Sequence, residues 1–243
     1  MIKVENSSVY GFEAAIRGMR NPLNSWKRSD SCECNFEMTD YCNECGKLDQ
    51  NDTGICLSYS SFYCIGKNDF DLMKRLFKSG SEHRKYLRMI HVTLDITAPL
   101  YWWKEFDTYK VGTVANSCST MHKIAAKEFT IDDFSTEHLN MNDAVVLNVI
   151  DSTLDVLNIY REKYLSDKKK ENWWQMIQLL PTSYNQRRTV DMNYETVFTI
   201  IRQRTGHKLD EWRELVEFLK TLPYVSQIGD FNEQSTAPSG EKE

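Results

Sequence analysis

One clear strand stands among segments of helical periodicity, and this imbalance constrains the fold more than any other feature of the sequence. In MIHVTLDIT, apolar and polar residues alternate from Ile90 to Ile96, as in a strand with one buried face. Helical spacing governs the long segment 142–165 and the stretches NDFDLMKRLFKSG, NWWQMIQLL and LDEWRELVEFLKTL. This pattern indicates an α+β fold, mostly helical with a small sheet, rather than a doubly wound βαβ sheet.

The residues around this strand predict where the neighbouring elements begin and end. Asn68 or Asp69 is expected to cap the helix NDFDLMKRLFKSG, and Gly80 to end it. Thr97 is expected to cap the next helix, PLYWWKEFDTYK, with Pro99 in the first turn, where no N–H is needed. That helix leads into VGTVANSCSTMH, whose small residues predict a loop.

The bulk composition excludes several classes of function. The chain has 243 residues, a net charge of -5 and a pI of about 5.6. Its overall field therefore does not favour nucleic acid, and an anionic ligand must be held by local cations. Neither a signal peptide nor a bilayer-spanning run is visible, which predicts a cytoplasmic protein without a membrane partner. We expect one domain over residues 1–230 and a disordered polar tail over 231–243.

Six of the seven cysteines lie between Cys32 and Cys64, and Cys118 stands apart. An odd number in a cytoplasmic protein argues against a disulfide framework. Residues 29–61 are polar and without periodicity, which indicates an excursion from the domain. The spacings Cys32-x-Cys34 and Cys42-x-x-Cys45 predict a tetrahedral zinc site, and the alternative is a surface insert with reduced, unliganded thiols. Cys56 and Cys64 are spare candidate ligands.

Two stretches resemble flavin-dependent thymidylate synthases. The second, LLPTSYNQRRTVDMNYETVFTIIRQRTGHKLDEWREL, has that family's Leu-Pro pair (Leu180-Pro181), an Asn that opens a helix (Asn193) and an Arg three turns later (Arg204). The first, APLYWWKEFDTYKVGTVANSCST, aligns with the family signature RHRxxSxNExSxR, in which Lys110 alone keeps a basic residue. The signature positions fall on Thr108, Tyr109, Lys110, Thr113, Ala115, Asn116, Cys118 and Thr120.

The resemblance implies a homotetramer with active sites between subunits. It also implies conversion of dUMP to dTMP with FAD, NADPH and methylenetetrahydrofolate, so that a pyrimidine nucleotide is the expected ligand. By the same resemblance Arg204 contacts the uracil and assists catalysis, and Asn193 contacts the flavin. The positions Thr108, Tyr109 and Lys110 touch flavin and nucleotide.

The chemistry of the residues themselves leaves alternatives open. An Arg can donate two parallel hydrogen bonds to a phosphate or a pyrimidine carbonyl, but Arg204 can equally neutralise the C-terminal dipole of its helix. Cys118 can be a nucleophile toward C6 of a uracil, or an inert buried thiol. The hydroxyl-rich stretch 112–120 can hold a phosphate through backbone N–H groups and side chains, or be a tightly packed helix start or turn built from small residues. The substrate contacts are accordingly assigned to Glu105, Asn116, Ser117, Ser119 and Thr120.

Three departures from the family pattern affect the nucleotide site. Glu105 and Asp107 replace a Gln and an apolar residue, and two carboxylates repel a phosphate unless Lys104 and Lys110 offset them. Ile177 occupies the place of a phosphate-binding Arg, for which Arg187 or Arg188, expected in an adjoining loop, could substitute. The alternatives to methyl transfer are hydroxymethyl transfer, a catalytically silent nucleotide-binding or scaffold relative, and a zinc-binding adaptor.

Overall fold

The computed structural model describes residues 2–33 and 63–231, and these form six strands and nine α-helices. The strands are β1 (Lys3–Tyr10), β2 (Cys32–Glu33), β3 (Tyr63–Cys64), β4 (His91–Pro99), β5 (Thr113–Ser117) and β6 (Asn185–Asn193). The helices are α1 (Phe12–Arg20), α2 (Lys67–Lys78), α3 (Leu100–Phe106), α4 (Thr120–Lys123), α5 (Ala144–Asp167), α6 (Lys170–Leu179), α7 (Tyr194–Arg204), α8 (Asp210–Lys220) and α9 (Val225–Gly229). The predicted α+β class is confirmed.

Four strands form an antiparallel sheet in the order β1-β4-β6-β5, and β2 pairs with β3 in a separate ladder. The alternation predicted for β4 is confirmed, because Val92, Leu94 and Ile96 are fully buried while the polar residues between them stay half-buried. These side chains share one hydrophobic core with large aromatic residues of the helices, including Phe12 of α1 and Trp212 of α8. The sheet is therefore covered on the face that carries its apolar residues.

Two segments predicted as loops form strands. Arg187 and Arg188 lie in β6, which pairs with β4 along its whole length. Residues 113–117, inside the stretch predicted as a loop, pair with β6 as the edge strand β5. β6 has polar residues on both faces, so its sequence lacks the alternation of apolar and polar residues that predicts a strand. β5 is rich in small and polar residues because most of its side chains are exposed.

Several predicted helix boundaries shift by a few residues. Thr97 does not cap a helix: it lies within β4, and α3 begins only after Pro99. Neither Asn68 nor Asp69 caps α2, because this helix already begins at Lys67. The expectation that Gly80 ends this helix is confirmed: α2 ends at Lys78, Ser79 is its C-cap, and Gly80 follows with a φ of 117°. Pro99 can end the strand and precede the helix because both positions tolerate a missing N–H.

The long helix predicted at 142–165 is confirmed as α5, which Asp143 caps by accepting from the Val145 N–H at 2.8 Å. Its C-terminal part packs on α6 in a second hydrophobic cluster around Leu157 and Met176. Its N-terminal part, residues 144–153, contributes to neither cluster of the described chain and exposes Val145 and Val149. Among the described helices, none is long and apolar enough to cross a membrane.

Buried polar contacts fix the two short segments that flank residues 34–62, which lie outside the described part of the chain. We call residues 29–33 and 63–66 the neck. Asp69 pairs with the buried Arg20 at 2.5 Å and accepts hydrogen bonds from the Ser29 hydroxyl and from the backbone and hydroxyl of Ser31. Asp30 in turn accepts from the first N–H groups of α2. Both neck segments are thus tied to the core.

The Asp69 carboxylate is expected to set the acid limit of stability. Burial on its own raises the pKa of Asp69, but hydrogen bonds from Ser31, Ser29 and Arg20 outweigh it and hold the pKa below its ordinary value of 3.8. A lowered pKa means that this stabilisation is present above pH 3.8 and is lost as the pH falls further. Asp69→Asn should lower the free energy of unfolding by roughly 3–5 kcal/mol at neutral pH, because it leaves the buried Arg20 without a counter-ion.

Urea unfolding at neutral and acidic pH measures this effect, and Asp69→Asn should also flatten the loss of stability in acid. Glu13→Gln is the matched control, because Glu13 pairs with Arg17 on the surface and should change stability little. Equal effects of the two substitutions would contradict the central role of Asp69.

Candidate functional site

The Arg204 guanidinium lies at the centre of a cluster to which α3, α7 and α8 contribute. It donates from Nη1 to Glu105 Oε2 at 2.7 Å and from Nε to the Tyr109 hydroxyl at 2.9 Å. Trp212 Nε1 donates to the same Glu105 oxygen at 2.9 Å, and His207 Nε2 lies 3.1 Å from Arg204 Nη1. We call these five residues the Arg204 cluster.

Two aromatic rings, whose centroids lie 5.9 Å apart in an edge-to-face contact, pack against the planar cation. The guanidinium carbon lies 4.3 Å from the centroid of Trp212 and 5.6 Å from that of Tyr109, so cation–π attraction adds to the hydrogen bonds. Within the described residues, Nη2 has no hydrogen-bond partner, so Arg204 retains donors for a ligand. Arg204 ends α7, as the dipole interpretation requires, but its side chain bonds to side chains beyond that helix.

Residues 107–112, which we call the return segment, run back alongside α7. They include three of the four predicted cofactor contacts, Thr108, Tyr109 and Lys110. The Tyr109 hydroxyl meets the C-terminal end of α7 at Arg204, while the Thr196 hydroxyl donates to the Val111 carbonyl at 3.1 Å near its N-terminal end. Thr108 uses its hydroxyl to bond the Glu105 carbonyl at 2.8 Å. Lys110 is exposed and forms no ion pair with any described residue, so this segment carries one unpaired cation.

Asn193, the predicted flavin contact, caps α7. Its side-chain oxygen accepts from the Thr196 N–H at 3.0 Å, and its own N–H donates to the Gly112 carbonyl at 3.0 Å. The prediction that an Asn opens this helix is therefore confirmed. Gly112 has a φ of 75°, and a Cβ built on it would lie 2.2 Å from Asn193 Nδ2. Glycine at this position allows the return segment to contact the cap.

Of the five predicted substrate contacts, Glu105 lies in the Arg204 cluster, and the other four are distributed over β5 and the turn that follows it. Asn116 and Ser117 lie on the exposed edge strand, whose backbone pairs with β6. Ser119 caps the short helix α4 by accepting from the His122 N–H at 3.1 Å, and Thr120 begins that helix. Among the described residues no hydrogen bond joins this stretch to Arg204.

Cys118 lies just beyond β5 and is exposed, so the alternative that this thiol is buried is wrong. Its N–H donates to the Arg187 carbonyl at 2.9 Å, and its carbonyl accepts from Gln186 Nε2 at 2.9 Å. The backbone of Cys118 is thus held against β6. Its role as a nucleophile stays a prediction.

Carboxylates pair with the arginines that were expected to hold a phosphate. Glu105 and Asp107 are offset by Arg204 and Arg188, each at 2.7 Å, and not by Lys104 and Lys110 as predicted. Arg188 also stacks 4.2 Å from the Trp103 ring, and Arg187 pairs with Asp95 at 2.7 Å. Ile177 packs against the second hydrophobic cluster.

The sequence interpretation gave no role to a polar cluster on the uncovered face of the sheet. Asp191 of β6 accepts from Tyr10 at 2.5 Å and from Thr93 at 2.8 Å, and His91 Nδ1 lies 2.8 Å from its other oxygen. Burial raises the pKa of Asp191, but the bonds from Tyr10, His91 and Thr93 outweigh it and lower the pKa overall. These residues come from three strands, so no local sequence pattern predicts the cluster.

The predicted zinc ligands are only partly within the described chain. Cys34, Cys42 and Cys45 lie outside it, and Cys32 is exposed in β2, directly opposite Cys64 in β3. Within residues 2–33 and 63–231, no group of three or more His, Cys, Asp or Glu side chains could hold a metal ion. The zinc site stays a prediction.

Comparison with solved structures assigns the fold. No protein-family model and no curated protein matches the chain. One structure of flavin-dependent thymidylate synthase ThyX from Helicobacter pylori, complexed with FAD and dUMP, superposes with a TM-score of 0.57 over 94% of this chain and 96% of that chain, at 15% identity. A second structure of the same protein with FAD and dUMP gives 0.58 over 94% and 95%, also at 15% identity. The expected thymidylate synthase-like fold is confirmed.

The contact between Gly112 and Asn193 gives a prediction for the geometry of the site. Gly112→Ala and Gly206→Ala both place a side chain at positive φ, which costs about 1–2 kcal/mol. Gly206→Ala meets no atom within 4 Å, whereas Gly112→Ala drives a methyl group into Asn193. Urea unfolding should therefore show a larger loss for Gly112→Ala. Equal losses would mean that the return segment does not press on the helix cap.

Proposed function

We propose that this chain binds a pyrimidine nucleotide at the Arg204 cluster and transfers a one-carbon unit to it, as flavin-dependent thymidylate synthases do with dUMP. The observation that supports this most directly is the Arg204 guanidinium, held against two aromatic rings with donors still available. Such a fixed cation can donate to a uracil carbonyl, and Glu105 beside it can accept from the ring N–H. Arg204 is accordingly our candidate for the residue that binds the base and assists the reaction.

FAD is the proposed cofactor, with NADPH and methylenetetrahydrofolate as proposed co-substrates. A fit of the residues to FAD is supported by the Thr113 hydroxyl, which is buried without a hydrogen-bond partner in the described chain. Tyr109 and Lys110, a few residues earlier, add a ring and a cation, and Asn193 lies beside them at Gly112. Bound FAD would supply the redox chemistry, while Thr108, Tyr109, Lys110 and Asn193 would hold it.

A second candidate function, a catalytically silent nucleotide-binding relative or scaffold, is favoured by the charge pairing. Arg187, Arg188 and Arg204 each pair with a carboxylate of the same chain. A phosphate must compete with those carboxylates, and their repulsion weakens its binding. This candidate keeps the Arg204 cluster for the base, but the three arginines are already engaged by carboxylates.

We further propose a homotetramer whose sites lie between subunits. Val145 and Val149 expose 70% and 61% of their surface on the half of α5 that neither hydrophobic cluster covers. Exposed apolar surface of this kind is typical of an interface. Assembly would also explain how Asn116, Ser117, Ser119 and Thr120 could reach a neighbouring Arg204, which they do not contact within one chain.

Ligand binding tests the proposed function. The purified chain should be yellow with bound flavin and should show a higher Tm when dUMP is added. Arg204→Ala should weaken dUMP binding roughly 10- to 100-fold, the loss expected for one charged hydrogen bond of about 1.5–3 kcal/mol. Arg202→Ala is the matched control, because Arg202 is exposed on the same helix and should leave binding unchanged.

The outcomes of this experiment separate the two candidates. A colourless protein that refuses added FAD but binds dUMP through Arg204 supports the silent relative. A protein that binds neither ligand, or one in which Arg204→Ala and Arg202→Ala behave alike, contradicts a nucleotide site at the Arg204 cluster.

Assembly can be tested independently of ligands. Val149→Glu should convert the tetramer to smaller species, because a carboxylate cannot be buried in an apolar interface without a partner. Ile159→Glu is the control: Ile159 is also an exposed apolar residue of α5, but lies on the half that packs against α6. Light scattering after size exclusion gives the mass. A wild-type monomer would refute the interface.

A further inference from the structure

The neck brings two cysteines face to face. In the ladder of β2 and β3, Cys32 pairs with Cys64, and Glu33 pairs with Tyr63. Directly opposed residues of antiparallel strands have Cα atoms about 4.5–5.5 Å apart. Disulfides form between cysteines whose Cα atoms are about 4.4–6.8 Å apart, so the backbone of the neck already has the required separation.

The surroundings hold both cysteines in this register. On one side, Ser29, Asp30 and Ser31 are bonded to Asp69, which pairs with Arg20 in the core. On the other side, the Ile65 N–H donates to the Tyr224 hydroxyl, and the Gly66 N–H donates to the Ser31 hydroxyl. The two strands therefore cannot slide apart without breaking buried hydrogen bonds.

The exposed Cys32 is also accessible to a reagent. Cys32 is exposed and Cys64 is half-buried, and the structure has no disulfide between them. A thiolate attacks a disulfide sulfur only where a reagent can approach it, and a second thiolate at bonding distance then resolves the mixed disulfide.

We propose that Cys32 and Cys64 are a reversible dithiol–disulfide pair that closes the neck. One thiolate attacks a low-molecular-weight disulfide and releases one thiol, and the partner thiolate then displaces the second thiol. The protein loses two protons and two electrons, and the small disulfide takes them up to become two thiols. Oxidation joins the ends of residues 33–63 covalently, and an excess of thiol reverses it.

Oxidised glutathione is the probe for this proposal. The full-length chain is incubated with it at low protein concentration, remaining thiols are alkylated, and peptides are mapped by mass spectrometry. A Cys32–Cys64 peptide should exceed the glutathione adducts of either cysteine by about tenfold, because the partner thiol is held at a high effective concentration. Reduced glutathione should restore both thiols, and a non-reducing gel should show a monomeric chain throughout.

Three variants define the controls. Cys118→Ser should leave the Cys32–Cys64 peptide unchanged, because Cys118 lies in another part of the fold. Cys32→Ser and Cys64→Ser should each abolish the peptide and leave the remaining cysteine as a glutathione adduct. The proposal is overturned if Cys32 or Cys64 of the wild-type chain joins mainly to another cysteine, to a second chain, or to glutathione.

Discussion

The pairing of β4 with β6 determines where the candidate site can form. Pro99 ends β4 opposite Asn185, where β6 begins, and Asn193 ends β6 opposite His91, where β4 begins. The C-terminal ends of these two antiparallel strands therefore lie at opposite ends of the ladder. The helices that follow these strands, α3 and α7, therefore start from opposite ends of the ladder. They share the core that covers one face of the sheet. This arrangement allows Glu105 near the end of α3 to meet Arg204 at the end of α7.

Around the candidate site, two carboxylates are each paired with an arginine. The carboxylates that depart from the family pattern, Glu105 and Asp107, each face an arginine contributed by a distant segment. Such pairs fix the packing of α3 against α7 and β6, but they also compete with an anionic ligand for the same cations. The network that organises the candidate site thus weakens its attraction for a phosphate.

The sequence predicted what depends on local pattern and missed what depends on distant partners. The alternation of residues 90–96 predicted β4, and an Asn before an amphipathic segment predicted the cap of α7. By contrast, the β6 residues Arg187 and Arg188 read as a loop because their strand is held by pairing with β4 and β5. The contact of Arg204 with Trp212 and Glu105 has no local signal either, since the latter lies 99 residues away.

The neck and the candidate site belong to different parts of the described structure. A chemical change at the neck therefore need not alter the geometry of the candidate site. The neck is tied to α1, α2 and the turn before α9 through Arg20, Asp69 and Tyr224. The site is built from α3, α7 and α8. They are linked through the shared core, where Phe12 contacts both Tyr224 and Tyr194 at ring distances of 5.3 and 5.8 Å. Because a packed aromatic core deforms little, chemistry at the neck should leave the geometry around Arg204 largely unchanged.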